Sequence, residues 1–221
     1  MAKIVQAGMS VAGIGVHNYW VLLDDAGNKV KEIHGVPEDA NGNIKAWAFS
    51  GTLVVHNDIT FGTFENDQKK TVMMGTMADM LNHFDAGNMA LSHINSQRLA
   101  YVPLPSESSA SHNSNGAFST VGKAMNVPDR EIADFSGADP GKGKISLGDS
   151  IINFIHDFFG IGGGSTSGPY QPTWPENLTV DDGEILASML NEHQSDYSTP
   201  EAEIREHMIT LIGVESNQLV M

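Results

Sequence analysis

The chain contains no cysteine in its 221 residues. Disulfides, zinc–thiolate sites, iron–sulfur ligation and a thiol nucleophile are therefore excluded. The absence fixes no compartment, because a chain without thiols is indifferent to redox poise. Basic residues are scarce as well: 12 Lys+Arg stand against 27 Asp+Glu, a formal net charge of −15. Nucleic acid and anionic lipid are poor partners for such a chain, since Lys and Arg must neutralise the phosphates. Long apolar runs are missing too. The longest stretch, Ile151 to Ile161, is interrupted by Asn153, His156, Asp157 and Gly160, well short of the roughly 18 apolar residues of a spanning helix. No membrane span is expected. Met1 to Ser10 carries one Lys and no apolar core of the kind a secretory leader needs. Any export is expected to use a route without a cleavable leader.

What is present suits one domain with an appendage. Residues 11–74 read as strands and hairpins. His17-Asn-Tyr-Trp-Val-Leu-Leu23 is aromatic and branched, as strands are. Asp24 to Asn28 is a turn, and Lys29 to His34 alternates as the return strand. Glu38 to Asn43 makes a second turn, followed by strand signals at Ile44–Phe49, Leu53–Val55 and Thr71–Met74. Met77, Met80, Leu81 and Phe84 recur at helical spacing after Thr76, with a stop near Gly87 and a second short helix over Ala90–Leu99. Pro103 to Asn115 is a polar loop. Ala117, Phe118, Val121, Ala124 and Met125 then mark a helix that Val127-Pro128 ends. Residues 160–175 form a Gly/Ser/Pro-rich linker. Beyond it, 176–221 reads as a helical extension, with amphipathic helices over Thr179–His193 and Thr199–Ile212.

Asp139-Pro-Gly-Lys-Gly-Lys144 has the look of a phosphate loop. It lacks the phosphate-loop spacing and a leading strand, so a surface loop is expected. Asp39-Ala-Asn-Gly-Asn43 resembles half a calcium loop without its twelfth-position Glu. Asn-Gly favours a hairpin turn there. The nine histidines show no His-x-x-x-His or His-Glu-x-x-His spacing, so neither a metal site nor a cofactor is expected. His56, His83, His93 and His112 read as ordinary surface or core imidazoles. Two of them stay in view as alternative bases: His112, two residues before Ser114, and His56.

Ser114 sits in Asn113-Ser-Asn115 at the start of a helix. Two readings of it stand side by side. Asn113 or Ser114 simply caps the helix. Alternatively Ser114 is a nucleophile held where first-turn N–H groups carry partial positive charge and can steady an oxyanion. A hydroxyl then needs a base, and His17 and His34 are the candidates.

The order His17 on one strand, Glu32-Ile-His34-Gly35 closing the next, and Asn113-Ser-Asn-Gly-Ala-Phe118 opening a later helix resembles the circularly permuted branch of the NlpC-type, papain-like hydrolases. Tyr101-Val-Pro-Leu-Pro105 resembles the approach to the helix in a bacterial subset that reads Asn-Ser-Asn. The likeness covers residues 11–145. It implies an α+β fold over residues 1–159, with a small antiparallel sheet packed against the helix that carries Ser114. It also implies roles: Ser114 as nucleophile, His17 as general base, His34 as the polar group orienting that base. Family members usually place Cys where this chain has Ser114, and a hydroxyl is far harder to ionise than a thiol.

The expected function is hydrolysis of amide or ester bonds. Cell-wall peptide is the expected substrate class and an antibacterial effector or toxin the expected role. Such a protein would be made in the bacterial cytoplasm and exported to a target periplasm, with an immunity or secretion protein as partner. The competing expectation is an inactive papain-like scaffold that serves as a binding or adaptor module. A third, metal-dependent hydrolysis through the histidines, would be abolished by a chelator.

Overall fold

The computed structural model describes residues 1–11, 15–45, 50–57, 59, 62–103, 112–136 and 140–161. The extension expected at 176–221 lies outside these residues, as do 46–49, 104–111 and all of the linker except Gly160 and Ile161.

Six strands form one antiparallel sheet in the order β5-β1-β2-β3-β4-β6. They are β1 (Ala2–Val11), β2 (Gly15–Leu23), β3 (Lys29–Glu38), β4 (Gly51–His56), β5 (Gln68–Gly75) and β6 (Ala100–Tyr101). Three helices accompany them: α1 (Met77–Ser96), α2 (Ser114–Ala124) and α3 (Asp149–Phe159). The fold is α+β, with the sheet packed on helices, as the resemblance implied. Among the described residues no helix is long and apolar enough to cross a membrane.

β1 was not legible as a strand. Its glycine and polar residues, Gly8, Gln6 and Ser10, mask a central position. Ala2, Ile4, Gln6 and Ala7 are nonetheless completely buried, because β2 and β5 flank the strand on both edges. A Cβ at Gly8 would meet the Phe135 ring at 2.3 Å, so packing rather than propensity selects glycine there. Gln6 is satisfied by Asn18 at 3.0 Å and by the backbone of Ala133 at 3.0 and 2.7 Å, which is what a buried amide requires.

The break expected in the helix near Gly87 does not occur. α1 begins with a Thr76–Asp79 capping box and runs 20 residues to Ser96. Gly87 lies where α1 crosses α2: a Cβ there would sit 2.8 Å from Met125 and 3.1 Å from Val121. The helix absorbs the roughly 1 kcal/mol cost of an internal glycine in exchange for that close approach.

The alternation along the strands gives the sheet two buried faces. Ile4, Trp20, Leu22, Ile33, Leu53 and Val55 share the helix side, since the register sets Ile4 opposite Leu22 and Trp20 opposite Ile33. Trp20 stacks on Phe118 of α2 at 4.2 Å, and its indole N–H donates to the Phe118 carbonyl at 2.9 Å. Gly122 makes room for that indole, because a Cβ would lie 2.6 Å from the ring. The other face gathers Val5, Ala7, Tyr19, Val21 and Leu23 around Phe64, which stands in a short 3-10 turn. His17 and His34 belong to this second face.

Candidate active site

β2 and β3 start as an ordinary hairpin. Asp24 closes the turn by accepting from the amides of Ala26 and Asn28 at 2.9 and 2.7 Å. The strands pair from Leu23 and Lys29 up to Trp20 and Ile33. There they part. Residues His34 to Glu38 of β3 pair with β4 instead, while β2 continues on β1. His17 and His34 stand at the mouth of this split.

The first turn of α2 fills the gap. The Asn115 carboxamide donates to the carbonyl of Val16 at 3.0 Å and accepts from the amide of Asn18 at 3.0 Å. Those two groups flank His17 and point to the same edge of β2, so one side-chain amide replaces the peptide of a missing neighbour strand. The Asn18 side chain adds a third bond to Asn115 at 3.2 Å. On the opposite lip, Gly35 brings β3 against the helix. A Cβ there would meet Ala117 Cβ at 2.7 Å and Ser114 Cα at 3.2 Å. The residue before Asn115 and the residue after His34 thus touch.

The question of the cap is settled in favour of Asn113. Its side chain accepts from the Gly116 amide at 3.0 Å, and its own amide donates to the carbonyls of Pro103 and Pro140 at 3.0 and 2.6 Å. Ser114 is the first helical residue, and its hydroxyl is not spent on capping. It meets the phenol of Tyr101, whose pKa burial raises and this contact partly lowers. Ser114 and Asn115 occupy the helix positions whose amides make no intrahelical bond, where partial positive charge accumulates.

Behind the split runs a chain of ionisable groups. His17 Nε2 lies 3.1 Å from His34 Nδ1, His34 Nε2 lies 3.2 Å from Glu32 Oε2, and Glu32 Oε1 lies 2.6 Å from Lys29 Nζ. The Tyr19 ring stacks on His34 at 4.3 Å, and its phenol donates to Asp67 at 2.7 Å. Burial pushes His17 down to about 3, with the neighbouring His34 acting in the same direction. Burial also lowers His34, against an opposing pull from Glu32. Both imidazoles are therefore neutral at neutral pH. Burial raises Tyr19 well above its ordinary range, and Asp67 adds to the rise.

His17 and His34 are thus brought together, and Ser114 is placed at the split they border. The two alternative bases border the same region. His56 faces His34 across the β3–β4 ladder and engages Glu38 at 2.7 Å. His112 pairs with Tyr101 in a parallel bridge. Its Nδ1 is buried with no hydrogen-bond partner among the described residues, and it lies 3.3 Å from the point a Gly116 Cβ would occupy. Burial and the nearby Lys144 lower its pKa. His83 is satisfied by the Met125 carbonyl at 2.8 Å.

Sequence reasoning missed Glu32, Gly35, Tyr101 and Asn115 as parts of the site. Glu32 was within reach of it: two residues before His34 on an alternating strand, it had to share that histidine's face. Asn115 belonged to the Asn-Ser-Asn motif but its role gave no local signal, because its partners on Val16 and Asn18 lie almost a hundred residues away. The segment after Pro140, weighed as a phosphate loop, is spent on α2. The Gly143 amide donates to Ser119 Oγ at 2.7 Å and the Ser146 amide to Thr120 Oγ1 at 3.0 Å. The Asp39 turn likewise uses its carboxylate on the amides of Asn41 and Asn43 at 2.8 and 3.0 Å. Among the described residues, no group of three or more His, Asp or Glu side chains is placed to hold a metal ion.

No protein-family model matches the chain, and neither does any curated protein or solved structure. The geometry of the split therefore carries the functional reading.

Proposed function

We propose that the chain is a hydrolase of acyl bonds, amide or ester, with Ser114 as nucleophile, His17 as general base and His34 as the group that orients the base. One observation carries this reading: Asn115 clamps the start of α2 to β2 on both sides of His17. Ser114 Oγ attacks the carbonyl carbon as its proton passes to His17, and the first-turn amides receive the oxyanion. The proton then returns from His17 to the leaving amine or alcohol, and water repeats the cycle on the acyl-enzyme. Cell-wall peptide as substrate, and a role as an effector exported to a target periplasm, belong to the same proposal and rest on the resemblance of the motifs.

The test is turnover of ester substrates and peptidoglycan fragments by purified protein. Ser114→Ala and His17→Ala are each expected to reduce it at least about 100-fold with the fold intact by circular dichroism. Undiminished turnover in either variant overturns the assignment.

The second reading, a binding module on the same scaffold, is favoured by one feature. A histidine held near 3 is a weak acceptor for a hydroxyl proton, since the best base has a pKa near the working pH. It is expected to show a partner bound equally by wild type and Ser114→Ala, with no turnover by either.

A further inference from the structure

We propose that Glu32 is a positioning residue that fixes the tautomers of two histidines in series, so that the basic nitrogen of His17 is Nδ1. The proposal deepens the hydrolase reading and rests on it for its catalytic meaning, though not for its structural content.

The argument is one of proton counting. Glu32 is buried, and Lys29 lies 2.6 Å from its Oε1, which holds it as a carboxylate. An ionised carboxylate only accepts. The contact at 3.2 Å between Glu32 Oε2 and His34 Nε2 therefore requires the hydrogen on His34 Nε2. A neutral imidazole carries one N–H, so His34 Nδ1 presents a lone pair. The 3.1 Å contact to His17 Nε2 then requires the hydrogen on His17 Nε2, and the lone pair of His17 falls on Nδ1. Were Glu32 an acid, every bond in the chain would reverse. His34 Nε2 would accept, His34 Nδ1 would donate, and His17 would carry its hydrogen on Nδ1. In that state His17 has no lone pair on Nδ1 with which to take the hydroxyl proton of Ser114. The charge of one buried glutamate thus decides which nitrogen of an imidazole two hydrogen bonds away is the base.

The geometry supports a fixed chain rather than a loose one. The two imidazole planes lie within 6° of each other, with centroids 5.5 Å apart. Tyr19 stacks on His34, so the rings have little freedom to turn. Glu32 and His34 occupy alternate positions on β3 and share one face, which aligns carboxylate and ring along the strand.

The direct test is long-range ¹H–¹⁵N spectroscopy of the imidazoles in the full chain at neutral pH, with His17→Gln and His34→Gln used for assignment. Wild type is expected to show both His17 and His34 protonated on Nε2 alone. Glu32→Gln replaces an acceptor-only group by one that both donates and accepts, so both chain directions become allowed. The expected result is loss of the single tautomer at both histidines, together with a fall in kcat of about 10-fold or more at little change in KM. Lys29→Met, which removes only the clamp on Glu32, is expected to act in the same direction and less strongly. A wild-type His17 protonated on Nδ1 overturns the proposal, and so do unchanged tautomers in Glu32→Gln. Should Glu32→Gln fail to fold, the wild-type spectrum decides alone. Absence of turnover with the expected tautomers counts against the hydrolase reading and leaves the relay standing.

Discussion

The β2–β3 ladder is held in two different ways along its length. At the turn end, backbone pairs with backbone from Leu23 to Trp20, and an exposed Asp24 loop closes the hairpin. At the other end the strands part, and side chains do the work that peptides do elsewhere. Asn115 stands in for a strand, Gly35 lets a helix touch β3, and two histidines line the opening. The closed end is local in sequence and redundant, because each hydrogen bond has equivalent neighbours. The split end depends on single residues from distant parts of the chain. It trades that redundancy for a helix start set against a pair of buried imidazoles.

Substitutions at the two ends should therefore differ in kind. The largest effect is expected from Asn115→Ala. It leaves the Val16 carbonyl and the Asn18 amide buried without their partner, a loss of about 3 kcal/mol from two unmade bonds, read as a fall in the urea midpoint. Gly35→Ala comes next. A methyl 2.7 Å from Ala117 Cβ must push α2 off β3, at about 2 kcal/mol, and turnover should fall further than stability does. If either variant matches wild type in both measurements, the split is not held as described.

Acid should weaken the split end third. In the folded chain His17 is held near 3, against an ordinary 6.5. The unfolded chain therefore takes up a proton below about pH 6.5 that the folded chain refuses. The contribution is complete above pH 6.5 and erodes as pH falls toward 3, with His34 acting in the same direction. Between pH 6.5 and 5 the loss should be on the order of 1–2 kcal/mol, and His17→Gln should flatten the slope of urea midpoint against pH. The smallest effect is expected at the closed end. Gly27 has φ +87° with nothing within 4 Å of a Cβ, so Gly27→Ala meets only backbone strain of about 1 kcal/mol. Turnover should not change.

The same contrast explains how much was legible. Gly27 and Gly42, each before an Asn and after an Asp-led turn, announced both hairpins, since turn chemistry is local. α2 announced itself through Phe118, Val121 and Met125 at helical spacing. β1 and the unbroken α1 did not, because what decides them is packing against Phe135 and Met125, which local pattern cannot report. Of the candidate site, Ser114, His17 and His34 were named from residue type and order, and the fold brings the two histidines within 3.1 Å. Tyr101 and Asn115 stood in the motifs, but their roles could not be read, for their partners are brought to them only by the fold.

By itself the sequence determined an acidic, thiol-free chain of strands and helices, with a serine at a helix start and histidines on two adjacent strands. Those are properties of residue type and short-range period, and they survive in any packing. Only the tertiary structure decided that β2 and β3 part beyond Trp20 and Ile33, that Asn115 bridges the break, and that Glu32 and Lys29 stand behind the histidines. A split ladder has no local signature, because what opens it is a helix from far along the chain that satisfies the strand edge better than the neighbouring strand does.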